Sequence, residues 1–168
     1  IMYRHGHDLP EFAMYPLLDR PEAAAALRTM YASYFEAVAA HGFAALVGGL
    51  DYRASPDWGA KLGYSGTALA RMQVRCIEFL REMAEPYRDR VPALLVAGIV
   101  GPRGDAYSLN QTITARSAEE YHGVQLATLA QVGVDCVEAL TFNSVPEAIG
   151  VARAAARVNL PLGISFML

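Results

Sequence analysis

Apolar positions along this chain follow two different spacings. Ala23, Leu27, Met30, Tyr31, Tyr34, Phe35 and Val38 fall three and four apart, which places them on one face of a helix. Asp19 can cap that helix, Pro21 suits its first turn, and Glu22 suits the positive end of its dipole. Gly42 marks its stop, because glycine tolerates the left-handed conformation of a C-cap. Phe43–Leu50 then reads as a nearly continuous apolar run, the pattern of a strand buried on both faces.

The alternation repeats. A polar loop is expected over Asp51–Ser65, punctuated by Pro56, Gly59 and Gly63. A long helix follows over Thr67–Arg88, weakened at Pro86, and a second buried strand over Pro92–Gly98. After the glycine-rich loop GPRGDAYSLNQTITAR, Ser117-Ala118-Glu119-Glu120 matches a capping box, and the helix it opens ends at Gly133. Val134–Leu140 is the third strand. Ser144-Val145-Pro146-Glu147 matches another capping box and opens a helix over Pro146–Val158; Pro161 introduces a last strand, Leu162–Phe166. Helices of this length between strands connect parallel neighbours, so the pattern predicts an α/β protein with four parallel strands and four helices.

Composition narrows the class. The 168 residues are 54% hydrophobic and carry a formal net charge of −3, which suits one globular domain over 1–168 and gives no reason to expect a nucleic-acid partner. No run approaches the roughly 18 uninterrupted apolar residues of a membrane span. The opening IMYRHGHDLPEF is charged where a signal peptide is apolar, so a cytoplasmic protein is expected. Cys76 and Cys136 lie in apolar periodic segments and read as small buried hydrophobes, with no disulfide framework.

In parallel α/β folds the loop after each strand faces the ligand. The candidate site residues are therefore Asp51 and Tyr52 after the first strand, Gly101 after the second, Thr141 and Asn143 after the third, and Ser165 in the fourth. Asp51 can accept from a substrate ammonium, and Thr141 or Asn143 can donate to a carboxylate; the competing reading of Asn143 and Ser144 is that they cap the next helix. Gly101-Pro102-Arg103-Gly104 has neither the GxGxxG spacing nor the Gly-Lys-Ser/Thr of a phosphate loop. His5 and His7 read as solvated, His41 as a favourable charge at a helix C-terminus, and His122 as a residue with no obvious partner. No triad or paired-carboxylate arrangement emerges from spacing alone. The chain starts at Ile1 and stops at Leu168 inside LPLGISFML. The favoured expectation is part of a (β/α)8 TIM barrel of about 250 residues. A small open parallel sheet is the alternative.

Several stretches resemble the homocysteine S-methyltransferase family, which includes betaine- and methylmethionine-dependent enzymes and the homocysteine domain of cobalamin-dependent methionine synthase. They are Tyr52-Arg53-Ala54-Ser55, Lys61-Leu62-Gly63-Tyr64-Ser65, Gly101-Pro102-Arg103-Gly104-Asp105, Tyr121-His122 with Gln125-Leu126 and Gly133-Val134-Asp135, then Thr141-Phe142, Glu147-Ala148, and Pro161 with Ile164-Ser165-Phe166. Their order and spacing span nearly the whole chain. The resemblance implies a partial (β/α)8 barrel, from about helix 1 to strand 5, that belongs to a methyltransferase acting on the thiol of homocysteine or a related thiol, with a small-molecule methyl donor. It implies zinc in the full-length parent, where zinc holds the thiol as a thiolate. The zinc-binding cysteines would follow Leu168, so no metal ligand is assigned within this chain, and by itself it is expected to be inactive. Many members carry a glutamate where Leu140 stands, and Asp51 is the residue expected to take over the ammonium. The alternative function is a non-catalytic small α/β ligand-binding module.

Overall fold

Each apolar run of strand length becomes a strand, and all four run parallel in the order β1-β2-β3-β4. The structure is a computed structural model that describes residues 1–108 and 111–167; Leu109 and Asn110 of the glycine-rich loop, and Leu168, lie outside the described residues. The order is α1 (Met2–His5), α2 (Pro21–Ala40), β1 (Ala45–Val47), α3 (Pro56–Lys61), α4 (Gly66–Ala84), β2 (Leu94–Val100), α5 (Ala115–Val132), β3 (Cys136–Phe142), α6 (Val145–Arg157) and β4 (Leu162–Phe166), with 3-10 turns at Pro10–Phe12, Tyr15–Asp19 and Glu85–Tyr87.

Helices cover one face of the sheet. Ala45 and Val47 turn toward them and are buried, whereas Leu46 between them is 53% exposed. The core on the helix side is built from Leu27, Ile77, Leu80, Leu126, Leu129, Val137 and Val151. Burying side chains of this size contributes roughly 1.5–3 kcal/mol each. Gly98 is required here: a Cβ at that position would stand 2.5 Å from Leu129 Cδ1. Gly150 plays the same part where α6 crosses α5, with Ala118 Cβ 2.4 Å from where its own Cβ would be.

Several boundaries move. The first strand shrinks to Ala45–Val47, because only these residues pair with Leu94–Val96; Phe43 is exposed outside the ladder. The third strand shifts two residues, since Gly133 (φ 78°) and Val134 are consumed in closing α5. Asp135 then extends the pairing through its carboxylate, which accepts from Val96 N at 2.7 Å. The expected loop 51–65 contains α3. Pro86 ends the long helix in a 3-10 turn, as its missing N–H requires.

The helix starts also differ. Arg20, not Asp19, occupies the N-cap of α2, because the Asp19 carboxylate is engaged by Arg75 and by Tyr64 Oη. Thr114, not Ser117, caps α5: Thr114 Oγ1 accepts from Ser117 N at 3.1 Å and Ser117 Oγ accepts from Thr114 N at 3.0 Å. Ser144 is at the N-cap of α6 but its side chain caps nothing, and Glu147 is turned inward and fully buried.

Candidate functional site

The loops after four parallel strands share one edge of the sheet, and four of the six expected site residues meet there. Tyr52 leaves the end of β1 and lies across the end of β2, where Gly101 N donates to Tyr52 O at 3.1 Å. A Cβ at Gly101 would stand 2.8 Å from both the Tyr52 ring and its carbonyl oxygen, so only glycine admits the ring. The Tyr52 hydroxyl reaches Thr141 Oγ1 at 2.6 Å, and Thr141 N donates to Ser165 Oγ at 3.0 Å. Thr141 Oγ1 donates its own proton to Leu140 O at 2.6 Å, which makes Tyr52 the donor in the first of these bonds. Ser165 Oγ accepts from Thr141 N, and among the described residues no acceptor takes its hydroxyl proton. Thr141 has φ 63°, a left-handed conformation that a β-branched residue rarely adopts, and the β3–β4 register is irregular between Ala139 and Phe142. Strain of this kind clusters at functional sites.

Asp51 and Asn143 are placed otherwise. Asp51 is fully buried beneath the edge; Oδ2 accepts from Ile99 N at 3.0 Å, and among the described residues no donor reaches Oδ1. Burial pushes its carboxyl up to about 7, against the opposing pull of the Ile99 N–H. Asn143 directs Nδ2 at three loop carbonyls, Asp105 O (3.3 Å), Ala106 O (2.9 Å) and Ser108 O (3.1 Å). Its N–H groups are thereby engaged, and it organises the loop after β2 instead of capping α6.

His122 has no obvious partner in the sequence and Glu147 matches a capping box, whereas in the fold the two form a buried pair. His122 Nε2 lies 2.8 Å from Glu147 Oε1, both side chains 0% exposed. The same Oε1 accepts from Arg103 N at 2.6 Å, tying the loop after β2 to α5 and α6. Arg103 continues outward, stacking over Tyr121 and pairing with Asp57 of α3 at 2.8 Å. Arg53, 7% exposed, stacks over the Trp58 ring at 4.2 Å and donates to Gly104 O at 2.8 Å. The signal was present in α5. Ala118, Tyr121, His122, Gln125, Leu126 and Leu129 form its buried stripe, and a polar residue on such a stripe needs a partner. Gln125 meets that need by donating to Asp51 O and Ile99 O, at 3.0 and 3.2 Å.

The cysteines do not join the site. Cys76 is fully buried in α4 and Cys136 is half-buried at the start of β3, opposite the Thr141 end. Burial pushes both thiols up, Cys136 further under the charge of Glu138. Among the described residues no three His, Cys, Asp or Glu come together as a metal cage. The described residues therefore do not fit a zinc ion. None of the described helices is long and apolar enough to cross a membrane.

The family model for homocysteine S-methyltransferases matches residues 5–168. The chain belongs to this family. The metallated form of the homocysteine methyltransferase MmuM from Escherichia coli superposes with a TM-score of 0.74 at 23% identity, over 90% of this chain and 54% of that one. Its oxidised form gives 0.74 at 22% identity, over 90% and 53%. This homocysteine S-methyltransferase family member thus spans about half the length of those structures and shares the corresponding part of their fold. No curated protein matches it.

Proposed function

We propose that this chain forms part of an S-methyltransferase that moves a methyl group from a small-molecule donor to the thiol of homocysteine or a related thiol, and that its sheet is about half of a (β/α)8 barrel. The observation that carries the reading is the hydrogen-bonded run from the Tyr52 hydroxyl to Thr141 Oγ1 and from Thr141 N to Ser165 Oγ, at the strand C-termini of a family member. The sequential strand order and the single helix-covered face support the barrel, since a doubly wound sheet reverses its order and carries helices on both faces.

In this reading the free Ser165 proton donates to the ligand carboxylate. The Tyr52–Thr141 bond fixes the edge against which the ligand lies, and Gly101 leaves room for the Tyr52 ring. Asn143 presents only its carbonyl oxygen and acts by holding the loop 105–108. Asp51 acts from beneath, fixing the ends of β1 and β2 through Ile99 N. Metal activation of the thiolate would fall to residues outside this chain.

The test is methyl transfer by the whole protein that carries this chain. Homocysteine is offered with methylmethionine or betaine in turn, and methionine is followed by mass spectrometry. Methionine is expected with one donor. Ser165→Ala should raise KM for the thiol substrate about tenfold with kcat little changed, the worth of one hydrogen bond to a charged group. No methyl transfer to any thiol from any donor overturns the reading.

A further inference from the structure

Beneath the sheet edge, the turn 51–54 gathers more hydrogen-bond acceptors than donors. Gln125 Nε2 of α5 donates to Asp51 O, and Gln73 Nε2 of α4 donates to Ala54 O. Asp51 Oδ1, Gln125 Oε1 and Gln73 Oε1 stay buried, and among the described residues no donor reaches any of the three. Asp51 is 0% exposed with this chain alone around it. A residue from elsewhere could reach its carboxyl only by displacing what covers it.

Among the described residues no cation pairs with Asp51. Tyr31 from α2 and Cys76 from α4 are the titratable groups that face it. Burial, and then the charge of Asp51, pushes both up, so both stay neutral. Ile99 of β2, Gln73 of α4 and Gln125 of α5 carry no charge. Arg53, two residues along, is turned to the Trp58 ring and to Gly104 O. A surplus of buried acceptors without a cation favours a proton, since a neutral carboxyl escapes the cost of a buried charge and brings a donor. Burial accordingly raises the Asp51 carboxyl to about 7.

This turn is tied to the functional edge. Asp51 Oδ2 accepts from Ile99 N, and two residues on Gly101 N donates to Tyr52 O at 3.1 Å. The Tyr52 hydroxyl donates to Thr141 Oγ1 at 2.6 Å. We propose that Asp51 is a proton-operated positioning residue: while neutral it holds Tyr52 against Thr141, and when it releases its proton to solvent that contact loosens. A carboxylate at this place draws water into the turn, because no group there compensates its charge. The effect on activity rests on the methyl-transfer reading; the movement of Tyr52 does not.

The experiment follows the whole protein that carries this chain from about pH 5 to 8.5, which brackets the raised carboxyl. NMR reports the Asp51 carboxyl carbon and the Thr141 methyl, and kinetics reports KM and kcat for the thiol substrate. Both NMR signals are expected to move together, with one inflection at about 7. Asp51→Asn, a permanently neutral isostere, should remove that inflection from Thr141. Between about pH 6 and 8, KM should rise severalfold more in the unaltered protein than in Asp51→Asn, with kcat changing less. A merely structural role would lower both proteins in the same proportion at every pH. An Asp51 carboxyl that does not titrate in this range, a Thr141 methyl that does not follow it, an inflection at Thr141 that persists in folded Asp51→Asn, or equal KM ratios in the two proteins overturns the proposal. If Asp51→Asn does not fold, the two signals of the unaltered protein decide alone. Coupled inflections without methyl transfer would overturn the methyl-transfer reading and leave the coupling standing.

Discussion

Asp51 shows how burial changes what one residue can do. As a polar residue following an apolar strand, it reads as a ligand carboxylate; in the fold it lies under the ends of β1 and β2 with one oxygen unpartnered. Its carboxyl, ordinarily near 3.8, is raised to about 7, chiefly by burial. The folded chain therefore keeps a proton that the unfolded chain gives up above the ordinary value. Stability from this group is fully present below the ordinary value of 3.8 and is lost as pH rises through about 7, by a few kcal/mol at most. Denaturant midpoints measured from pH 5 to 7.5 should fall more steeply for the unaltered chain than for Asp51→Asn, which has no proton to lose. Parallel slopes would show that Asp51 does not titrate in this window.

The elements themselves were legible, because the apolar spacing that defines them is local. α2, α4, α5 and α6 all occur, and the Gly42 and Gly133 stops both take left-handed conformations, with φ of 65° and 78°. The starts were less legible. Ser, Thr, Asp and Glu side chains near a helix N-terminus have tertiary partners to choose from, and Asp19 and Glu147 took them. Thr114→Ala should accordingly cost about 1 kcal/mol in chemical denaturation, as loss of a working cap does. Ser144→Ala should cost only a few tenths, since its side chain makes no cap bond. Equal losses at the two positions would mean that the capping assignment is wrong.

At the scale of the molecule, one oxygen joins three segments. Glu147 Oε1 on α6 holds both His122 of α5 and the backbone of Arg103, and Arg103 in turn reaches Asp57 on α3. The loop after β2, with Gly101 under Tyr52, is positioned through this point. Removing the carboxylate leaves a buried imidazole and a half-buried N–H without their acceptor. Glu147→Ala should therefore cost about 3 kcal/mol or more in urea unfolding and open the 103–108 loop to proteolysis. Glu147→Gln keeps an acceptor oxygen and should cost less. A loss under 1 kcal/mol for the alanine variant would show that the pair holds nothing.

The sequence by itself determined the α/β alternation, the parallel sheet, the family, and which chain segments reach the C-terminal edge of the sheet. These follow from spacings and short motifs that need no distant partner to be read. The tertiary structure alone decided which side chains meet. Tyr52 and Thr141 are 89 positions apart and hydrogen-bonded, and His122 and Glu147 are 25 apart and paired. Packing also turned Asp51 inward and drew Asn143 toward the loop after β2. Local propensity is carried by neighbours along the chain. Burial, strain and charge pairing depend on neighbours in space, and those exist only once the sheet has formed.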